Sequence, residues 1–415
     1  MINVTRLWTG DMQPADHLRY GHGHGQGRAA GGAAEGCTPT SSRVRKPIVV
    51  WNITRTCNLR CIHCYSDSNA EQFEGELNWD QCKAVMDDLS CYQANALLLS
   101  GGEPLVHPRF FDILEYATEK GLKVTISTNG TRIDPATAQR IKDLDVAYVG
   151  ISLDGIGEVH DKFRGKPGAF ERAVKGFHNC SNVGQKTGLR LTLTKNNAEC
   201  IEEILDFIDK ENIQRVCFYH LVPTGRGVDV QTLTPERARA TMDSLIARVE
   251  KWKAEGKPRE VLTVTQPADG IYLLLRQIRE NNPHAKETLR LLQWNGGGAN
   301  SSARGIANID TQGRVHPDQF WQSITLGSVK ENKFSDIWEG KTEYSGEVLP
   351  QLRASDDPAE RQSQLEGRCG RCKHYALCGG GFRTRAAFAN GHWFGSDPGC
   401  YLTDEEIETE LPDLS

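Results

Sequence analysis

The sequence predicts an α/β protein whose main body is a parallel, partial (β/α)6 barrel. Between residues 46 and 225, six apolar runs alternate with stretches of helical periodicity. The runs are at 47–53, 96–100, 123–128, 146–152, 188–194 and 215–221, and the helical stretches include 79–90, 170–180 and 198–211. Strand and helix in regular alternation imply right-handed crossovers and a parallel sheet. Several runs also end in glycine or small polar residues, and in parallel sheets the carboxyl ends of strands are where ligands lie.

Met1 to Arg19 reads as a more ordered segment, expected to pack on the barrel. The stretch 21–44 begins Gly21-His22-Gly23-His24-Gly25 and continues in Gly, Ala and Ser, too few apolar groups to order itself, so a flexible linker is expected. The first barrel strand leads into Thr56-Cys57-Asn58-Leu59-Arg60-Cys61-Ile62-His63-Cys64-Tyr65. The second closes on Gly101-Gly102-Glu103-Pro104, the third on Ser127-Thr128-Asn129-Gly130 and the fourth on Ser152-Leu153-Asp154-Gly155. Beyond the barrel come a long amphipathic helix at 235–255, a second helical patch at 270–294 and a hairpin at 305–316 turning at Asp310-Thr311-Gln312-Gly313. The expected organisation is an amino-terminal segment (1–45), a barrel (46–230), a helical bridge (231–295) and a carboxyl-terminal domain (296–415).

At 415 residues the chain exceeds one ordinary domain and can bury a sizeable core. A formal net charge of -5 argues against a nucleic-acid binder. No apolar run is long enough for a membrane span, and no signal peptide is evident. Thirteen cysteines without an export signal read as metal ligands and buried thiols, which points to a reducing cytoplasm.

Cys57, Cys61 and Cys64 are separated by three and then two residues. Three thiolates in one loop can hold three irons of a cubane [4Fe-4S] cluster and leave the fourth open to a ligand; a zinc loop is the other reading of such spacing. Cys369, Cys372 and Cys378, spaced by two and five residues, with Cys400 after twenty-one further intervening residues, form a second set. Four thiolates suit another [4Fe-4S] cluster or a zinc ribbon. Cys37, Cys82, Cys91, Cys180, Cys200 and Cys217 are expected to be small core residues.

The cysteine loop, the Gly101-Gly102-Glu103-Pro104 segment and the two later strand ends, in that order, resemble the radical S-adenosylmethionine (radical SAM) superfamily. The resemblance implies that Cys57, Cys61 and Cys64 ligate the SAM-binding [4Fe-4S] cluster, that His63 contacts adenine and that Gly101, Gly102 and Glu103 hold the methionine end. It also places Ser127, Asn129, Ser152 and Asp154 towards SAM ribose or substrate. The later cysteines resemble the auxiliary-cluster domains named SPASM and twitch, so Cys369, Cys372, Cys378 and Cys400 are expected to hold a second cluster. Residues 295–330, where further ligands of a full SPASM domain would lie, contain no cysteine, so one auxiliary cluster is expected. The fold class implied is a partial (β/α)6 radical SAM barrel with a carboxyl-terminal SPASM/twitch-like auxiliary iron-sulfur domain.

Three further runs resemble the radical SAM enzymes that trim side chains from didecarboxysirohaem. They are Met1-Ile2-Asn3-Val4-Thr5-Arg6-Leu7 with Asp16-His17-Leu18-Arg19-Tyr20-Gly21, then Val216-Cys217-Phe218-Tyr219-His220-Leu221-Val222, and the span from Asn308 to Trp321. The amino-terminal run is most similar to the branch that removes two acetates to form Fe-coproporphyrin III; a sister branch, for haem d1, removes two propionates. The resemblance implies two [4Fe-4S] clusters, SAM, an iron tetrapyrrole substrate and a low-potential electron donor such as ferredoxin or flavodoxin, with no nucleic-acid or membrane partner. Arg164, Arg226 and Arg314 are candidates to meet substrate carboxylates, and His220 or His316 to face the iron. A radical SAM peptide-modifying enzyme and a plain two-cluster electron carrier are the other classes considered.

Overall fold

The computed structural model describes residues 1–13, 16, 20, 44–295, 302–353, 355 and 357–414. The expected linker lies outside the described residues except for Val44. Eleven strands form one sheet: β1 (Ile2–Asn3), β2 (Ile48–Asn52), β3 (Ala96–Ser100), β4 (Val124–Thr128), β5 (Tyr148–Ser152), β6 (Thr187–Leu193), β7 (Arg215–His220), β8 (Glu260–Val264), β9 (Ile306–Ile309), β10 (Arg314–His316) and β11 (Gly327–Ser328). Their spatial order is β1-β8-β7-β6-β5-β4-β3-β2-β9-β10-β11. Strands β2 to β7 are the six expected from the sequence, parallel and in chain order.

Neighbouring strands bury their apolar residues in register. Val49 of β2 lies between Leu97 of β3 and Ala307 of β9, and all three are fully buried. Helices cover the outer face. Ile201, Ile204, Leu205 and Ile208 of the helix Ile201–Lys210 recur at helical spacing and are buried. Sequence-encoded caps fix where helices begin: Asn78 and Gln81 make a reciprocal capping box ahead of Trp79, and Thr234 caps the helix Pro235–Ala254 with proline in its first turn.

The structure departs from expectation in several places. The helical patch at 270–294 is two helices, Ala268–Arg279 and Ala285–Asn295, because Asn281 adopts a positive φ of 53° and Pro283 follows it. The segment expected to be a helical bridge also supplies β8, which extends the parallel sheet beside β7. The hairpin β9–β10 forms as expected, and its first strand pairs in parallel with β2. Cys91 is disulfide-bonded, which corrects its reading as a thiol; a bridge depends on the approach of two Cβ atoms, which sequence spacing does not reveal. Cys82, Cys180 and Cys217 are buried free thiols, Cys200 is half-buried, and Cys37 lies outside the described residues. No helix among the described residues is long and apolar enough to cross a membrane.

The amino-terminal residues close one edge of the sheet. Ile2 and Asn3 pair antiparallel with Thr263 and Leu262. Asn3 then caps the helix Val4–Thr9, accepting from the Arg6 amide at 3.0 Å while donating to Asp16 at 2.9 Å. The buried Thr5 hydroxyl donates to the Arg259 carbonyl (2.6 Å) and accepts from the Val261 amide (3.1 Å), pinning the helix to the start of β8. Thr5→Val keeps the shape and strands both backbone groups, so it is expected to lower stability by about 2 kcal/mol. A shift of the denaturant midpoint at constant slope checks this.

Candidate functional site

The carboxyl ends of β2 to β7 open into a cleft whose lining includes Cys57, Cys61, Cys64, Tyr219, His220 and Phe320. The cysteine loop hangs from the end of β2 and is held from three sides. Its Arg60 and Ile62 amides donate to the carbonyls of Arg164 (3.2 Å) and Phe163 (3.0 Å). The Cys57 amide donates to the Asn69 carbonyl at 2.6 Å. Arg226 spans the third side, its guanidinium donating to the Cys61 carbonyl (2.9 Å), the Ser68 carbonyl (2.8 Å) and Asp67 (2.6 Å).

Each sulfur has a hydrogen-bond partner of its own. Cys57 Sγ accepts from the Leu59 amide at 3.4 Å, Cys64 Sγ from the Ser68 amide at 3.4 Å, and Cys61 Sγ from the Arg164 guanidinium at 3.5 Å. Burial pushes the Cys57 thiol up to about 12, with Glu103 and the Cys61 and Cys64 sulfurs adding to the effect. Burial likewise raises Cys61, against the pull of Arg164. Buried sulfurs that repel one another as anions, ringed by donors, suit a positively charged iron centre, which would stabilise all three as thiolates.

Gly101 and Gly102 serve the loop as much as any ligand. Gly101 has φ of 141°, and a Cβ there would stand 2.3 Å from the Thr54 carbonyl oxygen; on Gly102 it would stand 2.3 Å from that of Thr56. The two backbones are joined by hydrogen bonds from the Gly102 amide to Thr54 (2.7 Å) and the Glu103 amide to Thr56 (3.0 Å). Both glycines line the cleft, whereas the fully buried Glu103 does not. Its carboxylate accepts from the Thr128 hydroxyl (2.7 Å) and the amides of Asn129 (2.7 Å) and Leu105 (3.2 Å), so it ties β3 to the end of β4. Burial raises the Glu103 carboxyl, and those three donors oppose the rise.

His63, Ser127, Asn129 and Ser152 all line the cleft. His63 is buried against Phe163, ring centres 4.5 Å apart, and burial pushes it down to about 4, so its imidazole is neutral. Among the described residues its buried Nδ1 has no hydrogen-bond partner. Asp154 is buried behind the wall, ion-paired with Arg164 and accepting from the Thr192 amide at 2.7 Å. Burial alone would raise the Asp154 carboxyl, but Arg164, His63, His160 and the Thr192 amide together hold the group below its ordinary value.

Among the cations expected to meet substrate, Arg164 and Arg226 reach the cleft but are committed to the cysteine loop and to Asp154 and Asp67. Arg314 and His316 do not reach it. Arg314 is 50% exposed and bonded to Asp310 at 2.7 Å, while His316 is buried between the Ile324 carbonyl (2.7 Å) and Asp310 (3.3 Å). His220 does line the cleft. Sequence reading missed Arg190, whose guanidinium carbon lies 4.9 Å from the Tyr219 ring centre and which donates to the Tyr219 hydroxyl. A charged residue inside the apolar run of β6 was the available signal. The span 308–321 is mainly a brace: Asn308 donates to the Val50 carbonyl at 2.8 Å, and buried Asp318 accepts from Ser302 and Thr384, which presents Gln319 and Phe320 to the cleft.

Cys369, Cys372, Cys378 and Cys400 line a second cavity. Gly379, Gly380 and Gly381 have φ of 70°, 82° and 78°, a left-handed run that carries the chain round it. A Cβ on Gly381 would stand 2.4 Å from Asp397, whose carboxylate accepts from the Phe382 amide (2.7 Å) and pairs with buried Arg385 (2.6 Å). Gln362 donates to the Cys372 carbonyl at 2.8 Å. Burial drives the Cys378 thiol well above its ordinary range, and the nearby Cys400, Cys369 and Cys372 sulfurs reinforce it. Burial also lifts Cys400 to about 11. Among the described residues no group of three or more His, Cys, Asp or Glu gathers tightly enough for a single metal ion. Both cysteine sets instead border cavities.

Gly102→Ala is expected to force the cysteine loop off the Gly101–Gly102 backbone. Amide hydrogen exchange at residues 54–64 should quicken by roughly tenfold or more, with exchange in the helix Pro235–Ala254 unchanged.

Residues 51–208 match the model of the Radical SAM superfamily. The chain is 42% identical to the Fe-coproporphyrin III synthase of Methanosarcina barkeri over 98% of this chain and 99% of that protein. It is 40% identical to the pre-heme d1 synthase of Dinoroseobacter shibae over 89% and 91%. Among solved structures, Streptococcus suis SuiB bound to precursor peptide SuiA aligns with a TM-score of 0.65 at 16% identity, covering 86% of this chain and 76% of that one. Native anSMEcpe with bound AdoMet aligns with a TM-score of 0.64 at 19% identity, covering 85% and 93%. These structures share the fold, a partial parallel barrel with a SPASM/twitch-type extension. A barrel whose strand ends converge on three cysteines, matched over nearly its whole length by these two relatives, belongs to the radical SAM superfamily and, within it, to the family of Fe-coproporphyrin III synthase and pre-heme d1 synthase.

Proposed function

We propose that this enzyme removes the two acetate side chains of didecarboxysirohaem to give Fe-coproporphyrin III, a step of haem biosynthesis. The observation that carries the reading is the 42% identity to an Fe-coproporphyrin III synthase over 99% of that protein's length. The pre-heme d1 synthase is matched over 91% of its own length, so loss of propionates is the second reading.

Superfamily membership implies SAM and a [4Fe-4S] cluster. Together they supply a carbon radical able to take a hydrogen atom from an unactivated carbon. An acetate on a saturated ring carbon is a poor leaving group, so a reagent of that strength suits the reaction. In this reading Cys57, Cys61 and Cys64 hold the cluster, and His63 meets adenine. Gly101, Gly102, Ser127, Asn129 and Ser152 line the SAM pocket, while Glu103 and Asp154 hold its walls from behind. Cys369, Cys372, Cys378 and Cys400 hold a second [4Fe-4S] cluster, served by a low-potential donor such as ferredoxin or flavodoxin. Arg190, which has no carboxylate partner among the described residues, offers a cation to an anionic ligand. The boundaries proposed are 1–45, 46–230, 231–295 and 296–415, and the compartment proposed is the cytoplasm.

Anaerobically reconstituted protein given SAM, a low-potential reductant and didecarboxysirohaem is expected to yield Fe-coproporphyrin III with 5′-deoxyadenosine. Mass spectrometry decides the branch: loss of both acetates supports the proposal, loss of propionates moves the chain to the haem d1 branch, and an unchanged tetrapyrrole rejects both.

The same preparation should contain about eight irons per chain, from two cubanes. Replacing Cys57, Cys61 and Cys64 by Ala should abolish SAM cleavage. Replacing Cys369, Cys372 and Cys378 should leave uncoupled cleavage and remove tetrapyrrole product. Four irons and one zinc in the unmodified protein would make the second site structural.

A further inference from the structure

A buried hydrogen-bond chain links the cleft to the second cavity. His220, at the end of β7, lines the cleft and donates from Nε2 to Asp269 Oδ2 at 3.1 Å. Asp269 is fully buried in the first turn of the helix Ala268–Arg279, and its other oxygen accepts from the Tyr401 hydroxyl at 2.6 Å. Tyr401 follows Cys400 directly. The His220 carbonyl is fixed as well, by the Thr265 hydroxyl at 2.6 Å. Arg385, paired with Asp397, stands behind Asp269 and donates to the Thr265 carbonyl at 3.1 Å.

A carboxylate only accepts hydrogen bonds, so Asp269 fixes the proton of His220 on Nε2 and leaves Nδ1 as the basic nitrogen. Among the described residues no hydrogen bond engages Nδ1. In either protonation state the ring stays hydrogen-bonded to Asp269 through Nε2. The other cations of the cleft differ: Arg164, Arg190 and Arg226 cannot give up a proton near neutral pH.

We propose that His220 Nδ1 is the proton donor to the side-chain fragment leaving the tetrapyrrole, with Asp269 and Tyr401 as its positioning residues. This inference rests on the function proposed above. The balance of that reaction requires a proton. Taking a hydrogen atom from the ring carbon beside the acetate-bearing carbon, then breaking the bond to the arm, closes a ring C=C bond and leaves a carboxymethyl radical. One electron, from the low-potential iron-sulfur or flavin donor, and one proton convert that radical to acetate. His220 supplies the proton from Nδ1 and is recharged from solvent through the open cleft.

The test uses reconstituted full-length protein, with turnover of didecarboxysirohaem and binding of Fe-coproporphyrin III read by its Soret band. His220→Gln is expected to lower kcat by about a hundredfold or more, to raise the ratio of 5′-deoxyadenosine to product, and to leave the Kd for Fe-coproporphyrin III within about threefold. Tyr401→Phe, nearly isosteric, should lower kcat by roughly fivefold with the same Kd and the full iron content. An undiminished kcat in His220→Gln overturns the proposal. So does a loss of turnover that only follows weakened binding, which would make His220 a wall of the pocket. Failure of the unmodified protein to convert the tetrapyrrole would instead overturn the function on which the proposal rests.

Discussion

The site depends on the close approach of two backbones. The chain leaving β2 and the chain leaving β3 run so near each other that a single Cβ on Gly101 or Gly102 would overlap a carbonyl oxygen. Side chains cannot mediate contact at that distance; only amide-to-carbonyl bonds can. The position of the cysteine loop relative to the sheet is therefore set by main-chain geometry. Arg164 and Arg226 add to this from the far side, spending guanidinium groups on carbonyls, a sulfur and carboxylates of the protein. The cleft wall is therefore tied together by the protein's own groups, the kind of preorganisation that electrostatic catalysis uses.

Much of this was legible in the sequence, for a physical reason. A strand buried on both faces needs a continuous apolar run, and its end needs small polar residues where the sheet meets a ligand, so β2 to β7 and their termini were readable one after another. The cysteine spacings were equally direct, because the ligands of one cluster loop lie close along the chain. Strand β8, Glu260–Val264, is as long as β2 to β5 but was hidden because it lies between the helices Pro235–Ala254 and Ala268–Arg279. The break at Asn281 to Pro283 was masked by apolar periodicity on both sides of it.

Other site features could not be read from the chain because they are long-range pairings. Glu103 looked like a ligand-facing residue from its motif, yet it is turned inward to serve β4. Asp269 carries no local signal at all; its importance comes from the meeting of β7, a helix start and the segment after Cys400. Arg314 and His316 are a local exception: they looked available in sequence but close on Asp310 across the turn of their own hairpin.

The edge pairing of the amino terminus has a consequence for how the molecule assembles. Thr5 binds the Arg259 carbonyl across 254 residues of chain, and among the described residues β1 pairs with β8 alone. The barrel strands that precede β8 can form neighbour by neighbour as they are synthesised, but this contact waits until well over half of the polypeptide has been made. Closing so long a loop carries an entropic cost that grows with its length, which places the edge among the late events of folding. Until then the side of β8 facing β1 is an unpaired strand edge, the kind of surface on which a partly folded chain associates with its neighbours.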